Sequence, residues 1–520
     1  MEGRVSARIL AGLALTAANA AAGFAPDAVA VRNAVRSWRE RNEVAILREF
    51  TELLSLPNVA ANVADVERNA DAIARRLERR GFVVSRLGEP GEPPVAYAER
   101  RVPGARRTLV FYAHYDGQPV DAVRWASDPW SPVLRAGRLE DGAREIPLPG
   151  LQAPLDREWR LYGRSTSDDK ASIVGVLAAL DALEAARIPL SMNLKLFLEG
   201  EEEAGSPHLR HTLERHKERL AGDVWLLCDG PVHQTRRMQV FFGARGITDL
   251  EITVYGPTRT LHSGHYGNWA PNPAVLLAHL LTGLRDMDGR VRVAGFYDDV
   301  RPPSDSERRA LAAVPTVDAE LRRELSLAAT EAGDAPLVER VQLPALNVRG
   351  IEAGRVAGSA ANAIPTEARA SIDFRLVPDQ TPEGVRDRVE AHLARDGWHV
   401  VHETPSPELR LGQPRVVKLE WGLGYKAART SMDLPASRAI VRVIEEHLGG
   451  PVVQAPMLGG SIPMYLFQEA TGAPVVGIPI ANHDNNQHAA NENIRLGNLW
   501  DGIEIYAALL ARLGHAWEPR

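Results

Sequence analysis

A chain of 520 residues exceeds what one ordinary hydrophobic core organises, so two or more lobes are expected. Its 45% hydrophobic and 25% charged residues exclude extensive disorder. A net charge of -6 and 6% aromatics, with no basic stripe laced by aromatics, give no nucleic-acid or anionic-membrane surface. The single cysteine, Cys228, ends the apolar run at 224–227 and reads as a core thiol; it excludes an intramolecular disulfide and a thiolate cluster, so any metal must be held by His, Asp and Glu.

In chain order, Arg4 and Arg8 precede an apolar stretch at 9–15, followed by Ala18-Asn19-Ala20 as a cleavage site. Residues 1–24 therefore read as a signal peptide, too short to span a membrane, which implies a bacterial periplasmic or secreted protein. The alternative is an Ala-rich N-terminal helix of a cytoplasmic one. Helical spacing runs from 35 to 56, where Pro57 stops it, and again from 66 to 80, ending at Gly81. Short apolar runs at 83–84, 108–113, 194–198 and 224–227, with a long helical segment at 171–186, predict a twisted α/β sheet covered on both faces.

From about Gly243 the pattern changes. Residues 248–254 and 368–376 alternate as half-buried strands, 273–285 and 382–395 are helical, and 398–401 is another strand. This is a small α+β domain with one solvated face, interrupted at 286–345 by a charged, Pro-bearing excursion. Helices at 434–448, from 464, and at 499–513, with a strand at 474–480, restore the α/β character. The predicted organisation is a discontinuous, doubly wound α/β catalytic domain (25–242 and 416–520) with residues 243–415 inserted.

The residues that carry chemistry lie at the ends of these elements. His114 ends the 108–113 run, and Asp116 two residues on points the same way, placed to orient the imidazole. Asp168 and Asp169 precede the 171–186 helix, where carboxylates commonly serve as caps but where a rigid base for a bridging ligand also exists. Glu199, Glu201, Glu202 and Glu203 crowd together after a buried strand, which is costly unless cations or protons compensate. Asp229 follows 224–228. The loop after the 474–480 strand holds His483 and His488, either of which is a chemically competent ligand. Two imidazoles with three carboxylates suit zinc, with manganese or cobalt open.

These strings resemble the zinc peptidase family that contains carnosinase-type dipeptidases, acetylornithine deacetylase and succinyl-diaminopimelate desuccinylase. The resemblance spans nearly the whole chain after the leader, including Leu53-Leu54-Ser55-Leu56-Pro57. It implies that His114 and Asp229 hold one of two divalent metal ions, Glu203 and His488 the other, and Asp168 both, with Glu202 as general base and Asp116 behind His114. It implies an inserted ferredoxin-like lid or dimerisation domain and a homodimer. In Leu261-His262-Ser263-Gly264 it makes His262 the group that stabilises the oxyanion in a partner's active site. Asn362 becomes a lid residue near the scissile group, Arg375 the ligand of a substrate carboxylate, and Gly459-Gly460-Ser461 the loop that closes the pocket.

The chain departs from the family pattern at Ser165, a usual glycine, and at Ala489, a usual serine. A carnosinase-like histidine is also not evident ahead of the glycine-rich loop, where Ser431-Met432-Asp433 stands. The implied function is hydrolysis of a peptide bond in dipeptides or short peptides with a free C-terminal carboxylate, dipeptidase- or carboxypeptidase-like. Deacylation of N-acyl amino acids is the alternative, and a non-catalytic binding protein on the same fold the remote one.

Overall fold

The strand Thr108–His114 sorts its side chains between two cores, as a period of two dictates. Leu109, Phe111 and Ala113 face the larger core, while Val110 and Tyr112 face a second, aromatic-rich one. In the computed structural model, which describes residues 25–517 except 149 and 332, this strand is central to an eight-stranded sheet. The segment read as a leader, 1–24, lies outside the described residues.

The strand order is Val83–Leu87, Val95–Arg100, Asn193–Glu199, Thr108–His114, Val224–Leu227, Val475–Gly477, Gln239–Phe241, Val453–Ala455. From Asn193–Glu199 to Val475–Gly477 neighbouring strands run parallel, so their carboxyl ends open on one edge, where open α/β sheets place their sites. Helices Ala28–Leu54, Lys170–Ala185, Pro435–Leu448 and Leu496–Ala516 fill one face. Leu209–Arg215, Lys217–Leu220 and Met464–Thr471 fill the other. Segments before 243 and after 450 thus share one sheet, which makes the catalytic domain discontinuous.

The inserted domain is an antiparallel sheet in the order Ala345–Glu352, Glu367–Leu376, Gly243–Tyr255, Val416–Trp421, His399–Val401, with only the last pair parallel. Leu250, Ile252 and Val254 pack under helices Pro273–Leu284 and Pro382–Arg395. The other face is charged, with Arg349 pairing Asp249 and Glu251. Val416–Trp421 belongs to this sheet, although the sequence boundary at 415/416 puts it with the catalytic lobe. Its alternating Val417 and Leu419 bury equally well in either sheet, so pattern alone could not assign it. The strand also separates Gly243–Tyr255 from His399–Val401, an elaboration of the ferredoxin-like order.

Gly243–Tyr255 starts between Ala428–Arg429 and Leu458–Ser461, so one continuous strand passes from the catalytic lobe into the lid. The excursion at 286–345 carries helices Asp305–Ala313, Asp318–Glu324 and Leu337–Arg340. A buried Arg429–Glu307 ion pair of 3.2 Å ties it down. Unforeseen from sequence is a four-stranded sheet, Asn493–Arg495, Arg160–Tyr162, Val133–Arg135, Glu145–Ile146, whose strands are too short to display a period. Among the described residues no helix is long and apolar enough to cross a membrane.

Candidate metal and active site

The carboxyl ends of the parallel strands deliver the ligand-capable side chains together. His114 is the last residue of its strand, Asp229 follows Val224–Leu227, and Glu202 and Glu203 form the short turn after Asn193–Glu199. Asp168 sits two residues before the helix Lys170–Ala185, and His488 in the loop beyond Val475–Gly477. Ligand atoms of His114, Asp168 and Asp229 lie within 4.8 Å of one another, as do those of Asp168, Glu203 and His488. Asp168 is common to both sets: its Oδ1 is 2.8 Å from His114 Nε2 and its Oδ2 3.0 Å from His488 Nε2. Glu203 Oε2 is 3.2 Å from His488 Nε2. Of the two histidines the sequence left open, His488 joins the cluster; His483 is in neither set.

Asp116 does two jobs. Its Oδ1 stands 3.3 Å from His114 Nδ1, and its carboxylate accepts the backbone N–H of Glu202 (3.2 Å) and of Glu203 (2.9 Å). One buried carboxylate therefore fixes both the imidazole and the glutamate turn.

The charge balance favours cation binding. Burial drives the Glu202 carboxyl well above its ordinary range; His114 opposes this, and Asp229, Asp168 and Glu203 add to it. Asp229 is pushed up to about 7 by burial and by Asp168. His488 is pushed up to about 11 by its bonds to Asp168 and Glu203. His114 is raised too, its bonds to Asp116 and Asp168 overcoming the burial that opposes a charge. Asp168 is held low by the two imidazoles, against burial. Without cations the cluster must hold extra protons on these groups. Two imidazoles and three carboxylates in two sets that share one carboxylate fit a pair of divalent ions, because the added positive charge offsets that crowding.

Several residues that build the site escaped sequence reading. Glu492, fully buried, accepts the backbone N–H groups of Ser165 (3.0 Å), Ser167 (2.9 Å) and Asp168 (3.0 Å), the Ser167 hydroxyl (3.0 Å) and Arg164 Nη1 (2.8 Å). It holds in place the loop that carries Asp168. The four-stranded sheet explains its reach: Arg160–Tyr162 leads into that loop and Asn493–Arg495 follows Glu492 directly. Gln118 Nε2 donates to Glu203 Oε2 at 2.7 Å. Asn58 donates to Tyr115 O and to Ser165 Oγ (2.9 Å). Ser165 has φ +63, which accounts for the family's glycine; here the bond from Asn58 accompanies a side chain in that conformation. A Cβ on Gly117 would stand 2.6 Å from the Ser165 hydroxyl, so any larger residue there requires that hydroxyl to move.

The lid residues form two further groups. His262 and Asn362 are neighbours: Leu261–His262 pairs with Ala363–Ile364, and Ser263 N–H donates to Asn362 O at 2.9 Å. Both are exposed, and among the described residues neither belongs to the ligand cluster. His262 Nδ1 accepts Gly264 N–H at 3.1 Å, and its ring lies 4.6 Å from that of His265. Arg375 and the glycine-rich loop do meet, with Arg375 Nη1 2.8 Å from Ser461 Oγ. A Cβ on Gly459 would stand 3.2 Å from Val341, whereas Gly460 faces open space.

Known proteins repeat this architecture. Beta-Ala-His dipeptidase of Homo sapiens is 28% identical over 430 residues, 81% of this chain and 78% of that protein. Cys-Gly metallodipeptidase dug1 of Schizosaccharomyces pombe is 22% identical over 492 residues, 91% and 96% of the two chains. Among solved structures, the M20 family metallo-carboxypeptidase Sso-CP2 from Sulfolobus solfataricus superposes with a TM-score of 0.73 at 26% identity, covering 90% of this chain and 99% of its own. Human carnosine dipeptidase 1 superposes with a TM-score of 0.72 at 23% identity, covering 95% and 100%, a likeness of fold. Residues 110–512 match the model of peptidase family M20/M25/M40, and the chain belongs to that family of hydrolytic enzymes.

Proposed function

We propose that the protein is a dinuclear metal-dependent dipeptidase that hydrolyses the peptide bond next to a free C-terminal carboxylate. The observation that carries this reading is Asp168, shared between His114–Asp229 and Glu203–His488 beside a half-buried glutamate, Glu202, that no ligand set requires. His114, Asp168 and Asp229 would hold one ion, and Asp168, Glu203 and His488 the other; the donors suit zinc, with manganese or cobalt as alternatives. When bound, the ion pair supplies Lewis-acid polarisation of the scissile carbonyl and a lowered pKa for water.

The chain's own groups supply the rest. Glu202, positioned by the Asp116 carboxylate at its N–H, takes the proton of the attacking water and returns it to the leaving amine. Arg375 and Ser461 orient the substrate carboxylate by charge-assisted bonds. In a homodimer, His262 and Asn362 reach across to the partner's site, where His262 donates to the oxyanion. Dipeptides are favoured over N-acyl amino acids as substrates because relatives aligned over most of the chain carry dipeptidase names. Export through residues 1–24, with the mature chain periplasmic or secreted, is the accompanying proposal on localisation.

The test is hydrolysis of a dipeptide and N-acyl amino acid panel by metal-loaded protein, beside Glu202→Gln. The variant should bind metal normally and lose a factor of about 10²–10⁴ in kcat. Stoichiometric metal without turnover of any panel member by the wild type would sink the enzymatic reading; preference for acyl substrates would transfer it to deacylation.

A further inference from the structure

Arg245, on the strand Gly243–Tyr255, is buried without a counter-ion, and none of the roles assigned above uses it. Only 7% of it is exposed, and among the described residues its guanidinium pairs with no carboxylate. A charge so buried is costly unless its donors are satisfied. Here Nε donates to Val341 O at 2.7 Å and Nη2 to Arg340 O at 3.1 Å. Those two carbonyls close the short helix Leu337–Arg340 of the excursion, where a helix end leaves acceptors unpaired and favours a cation. A guanidinium on the lid strand thus clamps the end of the excursion to that strand.

The clamped turn backs the glycine-rich loop. Gly243–Tyr255 pairs Ala244 with Leu458 and Arg245 with Ser461, so Gly459 and Gly460 bulge from the ladder between these pairs. Two glycines outside a ladder have wide backbone freedom, and the loop takes its position from what lies behind it. Val341 is there, 3.2 Å from where a Gly459 Cβ would stand. Gln342 Nε2 adds a bond of 3.2 Å to Met457 O, just ahead of the loop. At the loop's far end Ser461 Oγ accepts Arg375 Nη1 at 2.8 Å. Register brings these groups to one face. Leu250, Ile252 and Val254 enter the lid core, so alternation puts Arg245 on the opposite face with Arg375, which stands across from Ile247.

We propose that Arg245 is a positioning residue for recognition of the substrate carboxylate: through the turn at 340–342 it fixes the glycine-rich loop so that Ser461 and Arg375 meet. The inference rests on the functional reading above and deepens it, because the end of the excursion becomes the wall behind the pocket.

Arg245→Met keeps the stem and removes both donors, Arg245→Lys keeps the charge and a donor, and Gln342→Met removes the second tie alone. The measurements are kcat and KM on a dipeptide and on the same dipeptide with an amidated C-terminus, together with backbone hydrogen exchange of the metal-loaded protein. In Arg245→Met, KM for the free dipeptide should rise about 10- to 100-fold, the scale of a misplacement of about 1 Å, with kcat nearly unchanged. Gln342→Met should show a smaller rise, and Arg245→Lys should fall between wild type and Arg245→Met. Hydrolysis of the amide should stay within about twofold of wild type throughout. Exchange at 457–462 should quicken about tenfold in Arg245→Met, while 108–116 keeps its wild-type rate. Unchanged KM for the free dipeptide overturns the proposal, and so does an equal loss on both substrates, which marks a purely structural role. Should Arg245→Met not fold, Gln342→Met decides by the same two criteria. A wild type inactive on both substrates would bring down the functional reading and this inference with it, whereas an active wild type matched by its variants brings down this inference alone.

Discussion

Glu492 touches no proposed metal or substrate, yet its replacement by glutamine should disable the site. Oε2 accepts Ser165 N–H and Arg164 Nη1, while Oε1 accepts the N–H groups of Ser167 and Asp168 and the Ser167 hydroxyl. In Glu492→Gln an NH₂ group replaces one of these oxygens, and either orientation sets it against at least two donors. Each buried donor left without an acceptor costs about 1–3 kcal/mol. Arg164, 2% exposed, also loses its counter-charge, and breaking a buried pair in this way costs about 3–5 kcal/mol. The loop can relieve this only by moving, and the moving part carries Asp168, the carboxylate shared by both ligand sets. Metal affinity and kcat/KM should each fall about 10- to 100-fold, the usual effect of removing a group that orients a ligand. Chelator competition gives the affinity, and turnover at saturating metal separates lost occupancy from lost geometry. A Glu492→Gln protein with both quantities within twofold of wild type would refute the reasoning.

Three further outcomes are expected. Burial pushes His447 down to about 4 from an ordinary 6.5, so it is neutral when folded and protonates first in the unfolded chain. Stability is lost as pH falls from 6.5 towards 4, by about 3 kcal/mol in all; urea titrations at pH 7 and pH 4.5 should show a smaller loss in His447→Gln, and equal losses would count against it. Glu307 pairs with buried Arg429 at 3.2 Å and closes a capping box with Ser304, so Glu307→Gln should destabilise by about 3–5 kcal/mol. Adding Arg429→Met should restore part of the denaturation midpoint, and no recovery would mean the unpaired cation is not the cause. Mixing His262→Ala with Glu202→Gln homodimers should recover roughly a quarter of wild-type activity, because half of the randomly exchanged dimers hold one complete site; proven exchange without recovery would exclude action in trans.

What was legible in the sequence is what local pattern and local chemistry state together. An apolar run ending in His114, or in Asp229, announces both a buried strand and a ligand-capable side chain at its carboxyl end, and the Glu202–Glu203 pair after Asn193–Glu199 marks a strand end in the same way. His262, Asn362 and Arg375 drew their roles from resemblance, and the structure separates them: Arg375 meets Ser461, while His262 and Asn362 lie together on the exposed lid. Glu492 lies four residues beyond His488, and nothing in the local pattern announces its role. That role consists entirely of contacts with residues 164–168, more than 320 positions away. Asn58 was invisible for the same reason, lying 107 positions from Ser165. The misplaced strand Val416–Trp421 shows the complementary limit: alternation reveals that a strand is half-buried, not which sheet buries it.

Ser165 joins the two limits. A serine where the family has glycine reads as a harmless departure, since it neither adds nor removes a ligand. Its φ of +63 lies in the region that favours glycine, and its hydroxyl accepts a bond from Asn58 in that conformation. The close contact at Gly117 then ties the permitted residue at 117 to the choice at 165. Placement of Asp168 therefore depends on a set of residues, Asn58, Gly117, Ser165 and Glu492, that must be compatible with one another although none of them binds metal.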